Sequence, residues 1–377
     1  MTKLSFTFNA NSLNRLQSFE LKLAEHYSLL QNLKEKELTV LKKYACISNI
    51  GGSTRIENAQ LTDVEIQWID TILTASGKHT AFAENKMMIE DKLSKDRERS
   101  IEEVAGCREM LLAILQEYEH LQPLRETDIR YLHDVLLRYY PKAESYKGQY
   151  KSQPNSVVQE NHITGEKKII FKTADAGPIT AVAMQDLVDW YNAMHTSDLR
   201  TLAITVEFVF RFLAIHPFQD GNGRLGRGLF LLGLLQSKNK MLSYVSQFLA
   251  IDRTIEKHKE EYYFTLNRCS GGQFDQNPEN YHMEYFFDFM LKILDESLDG
   301  VTLYRHKYQI FSKLSDPSLK VLTCFQNNPE VRLTRNKICT VTGLPVRTVN
   351  NAITRLLEGQ LIQKYGQGSA TSYQLTF

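Results

Sequence analysis

The stretch IHPFQDGNGRLGRGLF, Ile215 to Phe230, constrains this chain more than any other. It sets a histidine, an acid, four glycines, an asparagine and two arginines directly behind a long apolar run. Gly221, Gly223 and Gly226 fit the letters G-x-G-x-x-G, a dinucleotide fingerprint when a strand precedes it and a helix follows. The preceding ITVEFVFRF alternates in part, so periodicity alone leaves a strand open there. The surroundings weigh against that reading. No string of βα units accompanies the fingerprint, and the neighbouring patterns are helical rather than runs of β-branched residues. The plain alternative is a glycine-rich loop between two core helices, its arginines solvated.

Electrostatics argue against solvated arginines. Arg224 and Arg227 are three apart and share a face in the first turn of the following helix. That end already carries about half a positive charge from the macrodipole and unpaired N–H groups. Two cations there are unfavourable unless an anion sits among them. Gly221 and Gly223 let backbone N–H groups turn toward such an anion, as in a phosphate nest. Asp220 offers a hard oxygen ligand suited to Mg2+ bridging phosphates. His216 supplies a base titrating near neutrality. Together these features specify a nucleotide-phosphate site with metal and base.

The rest of the chain sets the frame. Its 377 residues suffice for two or three domains, and 24% charged with 42% hydrophobic residues is ordinary for a globular protein. A net charge of +1 gives no whole-chain pull toward nucleic acid or an anionic membrane. The five cysteines are scattered without a C-x-x-C pair, which argues against a zinc site or disulfide framework. With no h-region at the start and no run near the ~18 apolar residues of a membrane span, a cytoplasmic protein without membrane contact is expected.

Residues 13–48 carry apolar residues at helical spacing, and Thr62 with Glu65 forms a capping box before LTDVEIQWIDTIL. IEEVAGCREMLLAILQEY and DIRYLHDVLLRYY also read as helices, the latter capped at Thr127 and stopped before Pro141. NSVVQENHITGEKKIIFK reads as a hairpin turning at Gly165, with His162, Lys167 and Lys168 as solvated residues. Helical patterns resume to about Glu296, and DESLDG near residue 300 is the nearest thing to a linker. From about Leu319 the tail reads as helix, Gly-Leu-Pro turn, second helix and a wing, resembling a winged helix-turn-helix. Val346–Leu357 takes the recognition-helix position.

HPFQDGNGRLGR resembles the Fic-domain signature H-P-F-x-[DE]-G-N-G-R-x-x-R at every fixed position. The similarity runs from roughly residue 40 to 295. It implies a mainly α fold: a Fic-type helical bundle with a β-hairpin flap over which a target peptide lies, joined here to the C-terminal winged helix-turn-helix. The expected division is 1–100 as an N-terminal helical region, 101–300 as the catalytic core and 310–377 as the winged domain. Most characterised Fic proteins transfer AMP from ATP to a protein hydroxyl. By that resemblance His216 deprotonates the target Ser, Thr or Tyr, and Asp220 holds Mg2+ on the phosphates. The N–H groups of Gly221, Asn222 and Gly223 cradle the α- and β-phosphates. Asn222 and Arg224 reach phosphate oxygens, and Arg227 pairs with the γ-phosphate. Phe218 anchors the loop in the core. Tyr262 and Tyr263 resemble a region lining the adenine pocket, where packing is an equal reading. Fic folds also host transfer of UMP or phosphocholine and kinase-like phosphorylation.

Ser53-x-x-x-Glu57-Asn58 matches the inhibitory pattern [ST]-x-x-x-E-[GN] of the N-terminally self-inhibited class. The resemblance implies that Glu57 forms a bidentate pair with Arg227 and competes with the γ-phosphate for one guanidinium. In some relatives the same glutamate supports removal of AMP. A DNA-binding regulator is the competing reading. Residues 315–377 hold seven Lys or Arg against three acids, a modest excess of four. Arg347, Asn350, Asn351 and Arg355 are the side chains able to read base edges. The wing used for dimerisation or for positioning targets is the plain alternative. The expected partners are a target protein hydroxyl, the chain itself as target, and DNA, with a homodimer left open.

Overall fold

Among the described residues, helices form where apolar residues recur three and four apart, and the strands make two small antiparallel sheets. The computed structural model describes residues 3–76, 81–93, 97–160, 167–194, 201–329 and 331–376. In chain order α1 (Ala10–Gln31), α2 (Glu35–Ile56), α3 (Asp63–Ser76), α4 (Ala81–Lys92), α5 (Glu98–Glu117) and α6 (Glu126–Leu137) come first. The hairpin β1 (Ser156–Glu160) and β2 (Lys167–Lys172) follows. Next are α7 (Pro178–Met194), α8 (Thr201–Ile215), α9 (Asn222–Leu235), α10 (Lys240–Ser246), α11 (Ile251–Lys257), α12 (Lys259–Ser270) and α13 (Met283–Ser312). The C-terminal elements are α14 (Asp316–Gln326), β3 (Leu333–Thr334), α15 (Arg335–Thr342), α16 (Val346–Glu358), β4 (Ile362–Tyr365) and β5 (Ser372–Leu375).

Two compact units result: Met1–Ala59 with Glu102–Val301, and Gln60–Ile101 with Thr302–Phe377. Residues 60–101 cluster with the C-terminal unit, while α1 and α2 bury Phe19, Leu23, Leu30, Leu41 and Ile50 in the first.

In the first unit α8 is apolar almost all round and buried nearly throughout, between α7 and α9. ITVEFVFRF is thus helix. With no strand ahead of Gly221, the dinucleotide fingerprint has no scaffold. α2 crosses α11 at Gly52, where an added Cβ would stand 2.5 Å from the Asp252 carbonyl carbon and the Arg253 nitrogen. Asn49 ties that crossing, donating to Leu249 O at 2.8 Å and accepting from Asp252 N–H at 3.0 Å. β1 and β2 pair antiparallel, Ser156 opposite Lys172, with a bulge at Val157/Val158. Gly165 and His162 lie outside the described residues, as do the side chains of Lys167 and Lys168.

The structure corrects three local expectations. The 13–48 pattern is two helices, because Lys34 is extended between them and Glu35 and Glu37 open the second with charge suited to its dipole. α6 begins ahead of Thr127, Asp128 Oδ2 accepting from the Arg125 N–H at 2.9 Å. DESLDG lies inside α13 rather than in a linker. Its acids are paired there, Asp295 and Asp299 each 3.0 Å from Lys22 Nζ and Glu296 2.8 Å from His258 Nε2. The Thr62–Glu65 capping box does form, with Thr62 N–H donating to Glu65 Oε2 at 2.6 Å.

In the second unit α14, α15 and α16 close on Val321, Phe325, Ile338, Val349, Ile353 and Leu356. The strand order is β3-β5-β4, and Gly343 turns α15 into α16 at a left-handed φ of 68°. Among the described residues no helix is long and apolar enough to cross a membrane.

Candidate active site

The loop from His216 to Gly221 links α8 to α9, and its shape follows from a few fixed points. Pro217 brings no N–H to continue α8. His216 sits at φ 52°, a left-handed conformation uncommon for a non-glycine residue. Phe218 is fully buried and stacks on His133 with ring centroids 3.8 Å apart. Asn222 closes the loop on itself, its Oδ1 accepting from Phe218 N–H at 2.9 Å and its Nδ2 donating to Phe218 O at 2.7 Å. The Asn222 Oδ1 and one of its two Nδ2 N–H bonds are thereby used inside the loop. Gly221, at φ 79°, starts α9, whose first N–H groups have no helical acceptor.

His133 holds the same loop from beneath. It accepts the Gly148 N–H at Nδ1, 2.9 Å, so Nε2 carries the proton and donates to Asp220 O at 2.9 Å. Burial pushes it down to about 4. His216 directs Nδ1 at Leu213 O, 3.3 Å away, which leaves Nε2 as its basic nitrogen. Burial first, and the Lys151 cation next, push His216 down to about 4.

The two arginines of the signature have separate carboxylate partners. Arg224 is buried, with Nη2 3.4 Å from Asp220 Oδ1 and Nη1 3.6 Å from Glu103 Oε1. Its Nε and Nη1 make no hydrogen bond among the described residues. Asp220 Oδ1 also accepts the Gly221 N–H at 2.6 Å. Arg227 donates from Nε to Ser53 Oγ at 3.0 Å, and from Nη2 to Ser53 O at 2.8 Å and Glu57 Oε1 at 3.0 Å. The Glu57 contact is a single hydrogen bond, not the expected bidentate fork, because Ser53 takes the Nε edge. Asp252 Oδ2 lies 4.0 Å from Arg227 Nε, and burial raises this carboxyl to about 6 despite the cation. The protein's own carboxylates therefore supply anions for both cations.

Glu57 lies against the first turn of α9. A Cβ built on Gly223 would overlap Glu57 Oε1 and stand 3.2 Å from Arg227 Nη1, so glycine is what admits the carboxylate. Glu57, His216, Asp220, Gly223 and Arg227 line one cavity of about 270 Å3, walled on the hairpin side by Val157, Ile170 and Phe171. Tyr262 and Tyr263 line it too. Tyr262 is buried beside Phe286 and Phe289 and feels the charge of Arg227. In the second unit Arg347, Asn350, Asn351 and Arg355 are exposed on α16, opposite buried Val349, Ala352, Ile353 and Leu356.

Residues 123–234, from the approach to α6 through nearly all of α9, match the model of the Fic/DOC family. The match spans 112 of the 377 residues. Solved Fic structures share the fold. A Fic family protein from Desulfovibrio desulfuricans aligns over 99% of this chain and 98% of its own, with TM-score 0.57 and 21% identity. A Fic domain containing signaling protein from Bacteroides thetaiotaomicron aligns over 75% of this chain and 96% of its own, with TM-score 0.54 and 24% identity. Fic-1 from C. elegans aligns over 78% of this chain and 72% of its own, with TM-score 0.51 and 18% identity.

Around the Fic signature the structure gathers residues that sequence spacing did not single out: His133, Lys151, Asn155, Glu103 and Asp252. None lies in a motif, and only the packing of distant segments brings them to the loop.

Proposed function

We propose that the chain is a protein adenylyltransferase of the Fic type, held in check by Glu57. The observation that carries this reading is the pairing of Glu57 with Arg227 against Gly223, in the cavity that also holds His216 and Asp220. A carboxylate lodged at a helix N-terminus beside an arginine occupies a place suited to phosphate.

In this reading the α- and β-phosphates of ATP lie at the first N–H groups of α9, and Arg227 takes the γ-phosphate. The oxygen of a target Ser, Thr or Tyr bonds to the α-phosphorus as the bond to pyrophosphate breaks, and His216 Nε2 receives the hydroxyl proton. A histidine held near 4 is neutral at pH 7, and the negative charge of bound triphosphate raises its basicity toward the working range. Among the described residues no three His, Cys, Asp or Glu side chains converge on a metal site. The partly exposed Asp220 carboxylate alone fits Mg2+, which binds through one or two carboxylates plus substrate phosphates and would offset their charge. Glu57 need not exclude ATP. Displacing the triphosphate by ~1 Å costs about a hundredfold in rate.

The test uses α-labelled ATP, Mg2+ and cell lysate. A Glu57→Gly variant labels itself or a target more strongly than the parent, and adding His216→Ala abolishes the label. A Glu57→Gly variant that binds ATP and stays as inactive as the parent overturns the switch. Label retained without His216 overturns the mechanism.

The exposed polar face of α16 supports a second reading, a C-terminal winged helix-turn-helix that contacts DNA through Arg347, Asn350, Asn351 and Arg355. A mobility shift of the full chain that weakens with salt supports it. No shift at low salt favours a protein-facing wing.

A further inference from the structure

Lys151 lies just before the hairpin and is 2% exposed, yet no carboxylate of the described residues stands within ion-pair distance of it. Its Nζ instead donates to three neutral oxygens: Asn155 Oδ1 at 2.8 Å, Thr173 Oγ1 at 3.0 Å and Ile215 O at 3.0 Å. Burying a cation without a paired anion is costly, and this one is neither a motif residue nor a lining residue of the cavity. The three acceptors explain its place. Asn155 immediately precedes β1, Thr173 immediately follows β2, and Ile215 is the last residue of α8 before His216.

The node continues outward from these contacts. Thr173 Oγ1 bonds with Asn155 O at 2.9 Å and with Asn155 Oδ1 at 2.7 Å, closing the base of the hairpin. Asn155 Nδ2 donates to Phe218 O at 2.7 Å and to His216 O at 3.3 Å. The Lys151 N–H donates to Pro217 O at 2.8 Å. The carbonyls of four consecutive residues, 215 to 218, are thus held by two side chains and one backbone N–H from a single short segment. That is the stretch in which His216 adopts its left-handed φ. A strained backbone persists only where its surroundings over-determine it.

We propose that Lys151 is a positioning residue: with Asn155 and Thr173 it locks the base of the hairpin to the His216 loop and fixes the imidazole relative to the segment that receives the target. Under the proposed function the phosphates lie at the N–H groups of α9, which Lys151 does not contact, so its loss is read in the transfer step rather than in ATP binding. The nearby cation also favours neutral imidazole, in keeping with the low value for His216. The kinetic part of this inference rests on the adenylyltransferase reading.

The experiment compares Lys151→Met and Thr173→Val in the full chain, each in the Glu57→Gly background. Both are scored for transfer from α-labelled ATP and for the His216 ring resonances by NMR. Lys151→Met lowers kcat by about tenfold or more while KM for ATP changes by less than about twofold, because about 1 Å at the reacting centre outweighs such losses elsewhere. The His216 resonances move. Thr173→Val, which keeps the side-chain shape and removes only the hydroxyl, gives a smaller change in the same direction and guards against misfolding of the lysine variant. Unchanged kcat and unchanged His216 resonances in a folded Lys151→Met overturn the inference. So does a loss of ATP binding in parallel with kcat, with Thr173→Val silent, since that pattern is merely structural. If Glu57→Gly itself transfers nothing, the adenylyltransferase reading fails, and the His216 resonances still decide the role of Lys151.

Discussion

Arg227 and its partners differ in what they contribute. The Glu57 side chain is about a third exposed and makes one hydrogen bond, so Glu57→Gly should lower stability by no more than ~1 kcal/mol. Arg227→Ala is a different case, because it leaves Asp252 buried without its cation. A loss of ~3–5 kcal/mol in urea unfolding is expected, smaller at pH 5, where a carboxyl at about 6 is already protonated. His133 gives the second residue-scale prediction. Its pKa in the fold, about 4, lies below the unfolded value, so its contribution is present above pH 6.5 and is lost as pH falls toward 4. Between pH 7 and pH 5 it accounts for a loss of ~2 kcal/mol. His133→Asn, less stable overall, should show a dependence shallower by that amount. The residues of the signature were legible because they fall within twelve consecutive positions. His133, Lys151 and Asp252 were not: a lysine in GQYKSQPN looks solvated until Ile215 O closes over it.

Among the elements, α2 matters most, since it carries Ser53 and is capped by Glu57 four residues on. Its position is set by the crossing with α11. Gly52→Ala would push a methyl into the Asp252–Arg253 backbone, which cannot retreat as a side-chain end can. The expected cost is ~1–3 kcal/mol of unfolding free energy. Under the proposed function, transfer also rises toward the Glu57→Gly level as the inhibitory face withdraws. A variant as stable and as quiet as the parent would show that α2 is held elsewhere. Helical spacing announced α2 but not the break at residues 32–34, because both helices bury their stripes and the pattern runs through the gap. α13 shows the opposite case. Its acids look like a solvated linker until Lys22 and His258 arrive from distant sequence.

At the scale of the whole molecule, the sequence order of segments and their packing disagree. Residues 60–101 group with Thr302–Phe377, a partition that no composition shift marks, because domain identity here depends on which apolar faces meet. The C-terminal elements were readable from turn chemistry at Gly343 and from the clean face of α16. If that face contacts DNA, Arg347→Ala and Arg355→Ala in the full chain should each weaken binding. A variant that loses a phosphate contact reduces the salt slope by about one, whereas one that loses a base contact relaxes sequence preference instead.

The single hydrogen bond of Glu57 has a quantitative consequence. A latch worth ~1 kcal/mol leaves its open state populated at roughly one part in six rather than one in thousands. Under the proposed function, an enzyme built this way idles at a low basal rate and gains at most several-fold on release. A modest stimulus then suffices: a metabolite, a modification or a binding partner favouring the open form by ~1.4 kcal/mol shifts that ratio tenfold. Under the proposed function such a device behaves as a dimmer rather than as a lock waiting for one key.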